Sequence, residues 1–203
     1  MNVNRFIVLG HRAYTTGDFK LDDICGGAGR LDILVRCVNS AFFLSHDLRK
    51  DSEIYLVLEG GTDAPKTVRF YGPDMKYLNP DERSTASLIR NALLKKLDGK
   101  NEIRSSPGVY ISRRSFEDVM KDLSDKCRFI YLREDGEDVR EYEFPEEPCY
   151  ILGDDRDPTK EEERIMSEYP YDKINLGPVS YHANHCMTIV LNEMDRRVTR
   201  MEG

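Results

Sequence analysis

"RFIVLG", residues 5–10, is a short apolar run cut off by glycine, and the segment at 26–48 that follows carries Leu31, Leu34, Val35, Val38, Ala41 and Phe42 at helical spacing. A second apolar run, "SEIYLVLEGG" (52–61), comes next. Strand, amphipathic helix, strand is an order that constrains a chain strongly: the helix must bury its apolar stripe against a sheet. The order recurs. "KTVRFYG" (66–72) reads as a third strand, placed near an edge by its polarity, and "NPDERSTASLIRNALLKKLDG" (79–99) reads as a helix with acids in its first turn and lysines in its last. "PGVYIS" (107–112) and "SFEDVMKDL" (115–123) repeat strand then helix, with Ser112 or Ser115 as cap. "CYILGDD" (149–155) precedes a helix at 159–169, and "DKINLGPVS" (172–180) precedes "YHANHCMTIVLNEMDRR" (181–197), read as helix although Thr188, Ile189 and Val190 also suit a strand. Asp135-Gly136, between "CRFIYLRED" and "VREYEF", suits a hairpin or an exposed loop. The expected fold is α/β, one domain over residues 1–203.

Composition narrows the function classes. The 203 residues are 39% hydrophobic and 33% charged, enough apolar surface for a continuous core without staples. Apolar runs are far shorter than the roughly 20 residues of a membrane span, and "MNVNRFIVLG" lacks the pattern of a secretory signal. Five cysteines, Cys25, Cys37, Cys127, Cys149 and Cys186, are odd in number and include no C-x-x-C pair, so a reducing cytoplasm is expected rather than a disulfide framework. The net charge of −7 provides no global attraction to nucleic acid. Any such contact must come from local clusters, of which "LRK" (48–50), "LIRNALLKK" (88–96) and "RRSF" (113–116) are candidates, and these equally suit solvated helix faces.

Three apolar runs, "FIYL", "CYIL" and "KINL", each stop at a leucine: Leu132, Leu152 and Leu176. In an open α/β sheet, small molecules bind beyond the carboxyl ends of the strands, where loops present free N–H and C=O groups. Three such ends side by side make one pocket. Gly153 and Gly177 remove side chains directly after two of them, and Pro178 sets the loop direction. Nearby, His182, His185 and Cys186 offer nitrogen and sulfur, yet no complete zinc spacing is present and no metal is expected. Cys186 is read as facing the core and the histidines as surface residues.

"GRLDILVRCVNSAFFLSH", "PDERS", "YILGDDRD" and "LGPVSYHANHC" resemble, in order and spacing, the archaeal tRNA pseudouridine-54 N1-methyltransferases of the SPOUT superfamily, over nearly the whole chain. The last motif departs from the family pattern, in which an apolar residue and a serine more often stand where this chain has His182 and Asn184. The resemblance implies a homodimer, a C-terminal deep trefoil knot in a mostly parallel sheet flanked by helices, and S-adenosylmethionine held bent by backbone groups. Its contacts would be Leu132, Leu152, Gly153, the loop Leu176, Gly177, Pro178, Val179, Ser180 and Tyr181, and Cys186.

The implied reaction uses the one nitrogen that separates pseudouridine from uridine. N1 of pseudouridine carries a proton instead of the sugar, so it becomes a nucleophile once that proton leaves. Transfer from a sulfonium needs nitrogen, methyl carbon and sulfur nearly in line, and such positioning can supply about 7–11 kcal/mol. Asp81 in "PDERS" is the candidate base, with helix capping as its alternative role. Arg30, Arg36 and Arg83, the arginines within or beside the matching stretches, are the candidates for tRNA phosphates. Rival expectations are methylation of another RNA site (a ribosomal pseudouridine or a ribose oxygen), a non-catalytic RNA- or nucleotide-binding module, and a zinc hydrolase.

Overall fold

The computed structural model describes residues 3–201. Eight strands form one sheet in the order β4-β5-β3-β2-β1-β7-β6-β8. β1 (Asn4–Tyr14) pairs in parallel with β2 (Ser52–Gly60) and with β7 (Pro148–Gly153), and β6 (Arg128–Asp138) pairs in parallel with β7 and with β8 (Tyr171–Asn175). β3 (Lys66–Tyr71), β4 (Glu102–Ser106) and β5 (Val109–Ser112) extend the other side with antiparallel pairings. The fold is therefore α/β with a mostly parallel sheet flanked by helices, as the family resemblance implied.

Both faces of the central strands are buried, which explains why they read as unbroken apolar runs rather than alternating ones. Phe6 and Val8 of β1 point into one core with Leu34 and Val38 of α1 (Leu31–Phe42), Ile89 of α2 (Glu82–Leu93) and Met187 and Leu191 of α5 (Ala183–Met201). Ile7 and Leu9 point the other way, against Phe116 and Val119 of α3 (Phe116–Leu123) and Met166 of α4 (Lys160–Ser167). Thr188, Ile189 and Val190 lie within α5, and Val190 is fully buried, so burial of one helix face overrides their β-branched preference.

Several boundaries differ from the sequence reading for local reasons. α1 starts at Leu31 because Gly29 (φ +66°) and Arg30 (φ +65°) are left-handed, and a Cβ on Gly29 would lie 1.8 Å from the Arg12 carbonyl oxygen. β3 is an interior strand: the polar segment "EIRSS" forms β4 and, through β5, takes the edge. Asp135-Gly136 makes no hairpin. It lies within β6, where the register against β8 slips between Leu132 and Glu137 and residues 133–136 bulge out of the ladder.

Candidate functional site

The parallel register brings the three leucine ends together. Leu9 lies beside Gly153, Tyr131 beside Ile151 and Leu132 beside Ile174, so the carboxyl ends of β6, β7 and β8 open on one side of the sheet. There the loop after β8 and the start of α5 enclose a crevice of about 330 Å³. Leu132, Leu152, Gly153, Leu176 and Gly177 line it from the strand ends, and Val179, Ser180, Tyr181 and Cys186 line it from the returning chain. Pro178 is the one residue of the expected set outside that lining.

The crevice presents main chain because its loops are tied down elsewhere. Asn175 donates to the Gly136 carbonyl at 2.6 Å and accepts from the Gly177 amide at 3.2 Å, and Ser180 donates to Glu134 at 2.7 Å, so the loop after β8 is pinned to the β6 bulge. That bond holds the Glu134 carboxyl below its usual range. Among the described residues, no protein hydrogen bond engages the amides of Val179, Ser180 and Tyr181, which leaves three adjacent donors for a ligand. The two glycines serve different ends. At Gly153 a Cβ would meet the Arg156 carbonyl oxygen at 1.9 Å, so glycine there lets the turn 153–157 close on itself, whereas Gly177 (φ +125°) borders open space.

A half-buried histidine braces that turn. His11, at the end of β1, sets Nδ1 2.9 Å from Asp154 and Nε2 3.1 Å from Glu162, and its own amide donates to Asp154 at 3.0 Å. Glu162 belongs to the capping box of α4 and accepts from the Thr159 amide. The hydrogen bonds to Asp154 and then Glu162 push the His11 pKa up to about 10 against the opposing effect of burial, so an imidazolium joins β1, the crevice turn and α4 at neutral pH. Burial opposes ionisation of Asp154, but His11 and the Arg156 amide together hold its pKa below the usual carboxylate range.

Of the arginines expected at an RNA surface, Arg30 reaches the rim of the crevice, and Arg30 and Arg36 arrive already paired. Arg30 makes a fork on the buried Asp32 at 3.0 and 3.2 Å and lies 3.5 Å from Asp155, a crevice residue that also binds Arg12. Arg36 shares Asp32 at 2.6 Å and reaches Glu82 at 3.6 Å. Arg83 is exposed and has no ion-pair partner among the described residues. The sequence reading missed His11, Arg12, Asp154 and Asp155. The signal for the last two was the "GDD" directly after the second leucine end.

Asp81 fills one of its two candidate roles, the helix cap. It is the N-cap of α2, accepting from the Ser84 amide at 2.7 Å, which lowers its pKa; it does not line the crevice. Cys186 has its pKa pushed up to about 11 by burial, so its thiol stays protonated at neutral pH and is a poor nucleophile. His182 lines the crevice and meets His185 edge to face, ring centroids 5.7 Å apart. Among the described residues no group of three or more His, Cys, Asp or Glu side chains is placed to hold a metal ion, and no helix is long and apolar enough to cross a membrane.

The crevice fits a flexible nucleoside with a positive centre. Its volume falls in the ~300–1,000 Å³ range of small-molecule sites, free amides supply donors, and Glu134 and Asp157 line it without an ion pair among the described residues. Residues 3–199 match the family model described as "Putative SAM-dependent RNA methyltransferase". The protein named tRNA (pseudouridine(54)-N(1))-methyltransferase of Methanococcoides burtonii is 45% identical over 199 residues, covering 97% of this chain and 98% of its own length. Its namesake in Haloferax volcanii is 48% identical over 195 residues, covering 95% and 96%. Among solved structures, Archaeoglobus fulgidus Nep1 bound to S-adenosylhomocysteine superposes with a TM-score of 0.60 at 16% identity, covering 97% of this chain and 98% of that one. The SpoU methyltransferase AviRb of Streptomyces viridochromogenes, in complex with AdoMet, gives 0.52 at 12%, covering 100% and 60%. At these identities the two structures speak for the fold alone, while the match over nearly the full length and the curated relatives establish that the chain belongs to the SAM-dependent RNA methyltransferase family that includes the archaeal tRNA (pseudouridine(54)-N(1))-methyltransferases.

Proposed function

We propose that this chain is a tRNA pseudouridine N1-methyltransferase, moving the methyl group of S-adenosylmethionine to N1 of the pseudouridine at position 54 in the T-loop. The observation that carries the reading is the convergence of three strand ends and the Val179–Tyr181 amides on one crevice, in a chain nearly half identical to enzymes of that name. When bound, S-adenosylmethionine supplies an electrophilic methyl on a sulfonium. The chain's part is to hold and to exclude. Main chain after Leu132, Leu152 and Leu176 orients the donor, and the apolar side chains of Leu132, Leu152, Leu176 and Val179 keep water from one side. Glu134 and Asp157 would favour a cationic donor over its demethylated product. With Asp81 engaged as a cap, the crevice carboxylates Glu134, Asp155 and Asp157 are the acceptors within the lining for the N1 proton.

The finer features follow from the same reading. Arg30, Arg36 and Arg83 are proposed to hold phosphates of the T-loop, exchanging carboxylate partners for RNA. A deep trefoil knot is supported by the path of the chain after β8: from the outer edge of the sheet it passes the ends of β6 and β7 before α5 packs on α1. A homodimer is supported by Val179 (56% exposed) and Tyr181 (42% exposed), apolar surface beside the crevice that a second copy would cover. A single domain acting in the cytoplasm accords with both. Labelled methyl donor, tRNA with pseudouridine at position 54 and mass spectrometry of the nucleosides test the reaction. N1-methylpseudouridine at that position is expected; label in a ribose, in another RNA only, or in nothing would overturn it.

A further inference from the structure

Two of the three basic clusters in the sequence meet in a second depression. An open groove of about 1100 Å³ is lined by Lys95, Lys96 and Lys100, from the turn after α2, and by Lys66, Arg113 and Arg114. Its other walls place it in the fold: Thr16 and Gly17 follow β1, Asp63 follows β2 and Arg113 follows β5, so the groove opens on the same carboxyl edge as the crevice. From β3 to β6 is four strand steps of ~4.8 Å, which separates the two openings by roughly 20 Å. One folded RNA can lie across both.

The charges in the groove are of two kinds. Asp63 binds Lys66 at 2.7 Å and Arg113 at 2.8 Å, Asp122 binds Arg114 at 3.3 Å, Asp118 closes the capping box of α3, and Asp18 accepts from Thr16. Lys95, Lys96 and Lys100 are exposed and, among the described residues, pair with no carboxylate; Asp18, Asp98 and Asp118 are the acids in the lining without a cation. The third basic cluster is different. Arg49 pairs with Asp51 and Asp195, and Lys50 donates to the Met75 carbonyl at 2.9 Å, both at the opposite edge of the sheet where β2 begins. In a chain of net charge −7, uncommitted ammonium groups gathered on the edge that holds the crevice are a local source of attraction for polyanions.

We propose that this groove binds the phosphate backbone of the RNA substrate outside its target loop, with Lys95, Lys96 and Lys100 as the contacts. The identity of the RNA as tRNA rests on the reaction proposed above; the groove's affinity for RNA phosphates does not. Lysines are suited to this task, because a mobile point charge accepts any phosphate geometry and releases counterions without reading sequence.

The test compares wild type with Lys95→Gln/Lys96→Gln/Lys100→Gln. Each lost contact flattens the slope of log affinity against log salt by about 0.7–0.9, so a decrease of about 2–3 in the slope and at least tenfold weaker tRNA binding near 100 mM salt are expected. Donor affinity and turnover on a short pseudouridine oligonucleotide confined to the crevice should stay unchanged, and Lys95→Arg/Lys96→Arg/Lys100→Arg should bind like wild type. In the wild-type protein, tRNA should protect these three lysines from acetylation, a readout independent of the variants' folding. Equal tRNA affinity and parallel salt slopes, or lysines acetylated at the same rate with and without tRNA, overturn the groove. Those results together with methylation at position 54 leave the proposed reaction standing, whereas the expected slopes without methyl transfer keep the groove and sink the reaction.

Discussion

Along one edge of a single sheet, two openings are built from different materials. The crevice after β6, β7 and β8 offers main-chain amides, and its flanking side chains are mostly committed to one another: Ser180 to Glu134, His11 to Asp154, Arg12 and Arg30 to Asp155. The groove past β1, β2 and β5 offers free ammonium groups on a turn. Main chain held by hydrogen bonds is rigid and suits one small ligand in one pose; lysines are mobile and suit a long polyanion of variable path. The contrast predicts that backbone changes strike donor binding and side-chain changes strike RNA binding.

The largest expected effect is at the crevice turn. Gly153→Val places a side chain on the Arg156 carbonyl oxygen, 1.9 Å from the position of Cβ, so the turn must open. Donor affinity measured by calorimetry is expected to fall by on the order of 100-fold or more, as for a backbone strain that the surroundings cannot absorb. Retained affinity would break the claim that this turn's shape is what the donor meets.

Next in size is His11→Asn, which removes the imidazolium between two carboxylates. A group with a folded pKa near 10 and an unfolded value near 6.5 stabilises fully below about 6.5 and loses that contribution as pH rises through 10. Wild-type melting temperature should therefore decline from pH 7 to 10, and the variant should start lower and decline less. At pH 7 the loss is on the order of 3 kcal/mol, because each tenfold gain in proton affinity is worth ~1.4 kcal/mol and solvent screening removes part of the total. The carboxylates act in the other direction: Asp154 and Glu162, both lowered, give up their share as pH falls into the acid range. Donor affinity should drop with the brace. Parallel melting curves from pH 7 to 10 would show that His11 is not the charged strut.

How much of this was legible in the sequence depends on the distance over which each feature is decided. The apolar runs and the glycines after Leu152 and Leu176 are local signals, and they led directly to the crevice. His11 and Asp154, 143 residues apart, meet only because β1 and β7 are neighbours, an adjacency that no local pattern encodes. The same holds for Arg12 with Asp155. Errors in the fold have a similar origin: "EIRSS" is too polar to read as a strand until β5 pairs with it, and Asp135-Gly136 looks like a turn although a bulge on β8's neighbour uses it. Basic clusters were visible, but which were free and which were spoken for became apparent only from their partners.

Smaller effects sharpen the other half of the contrast. Arg30→Ala should weaken tRNA binding by roughly tenfold, a charge-assisted contact's worth, with donor affinity unchanged in calorimetry; unchanged tRNA affinity would leave Arg30 with its structural role on Asp32 alone. The smallest change is expected from Asp81→Asn, because asparagine caps a helix about as well as aspartate and turnover should stay within about twofold. A large loss of turnover with normal melting would instead give Asp81 the proton of N1.

The most direct test of the main-chain crevice is amide hydrogen exchange with and without S-adenosylhomocysteine. Protection is predicted to concentrate at residues 132–134, 152–157 and 176–181, with the turn at 94–100 unaffected. Protection confined to other segments, or none in those three, would contradict it.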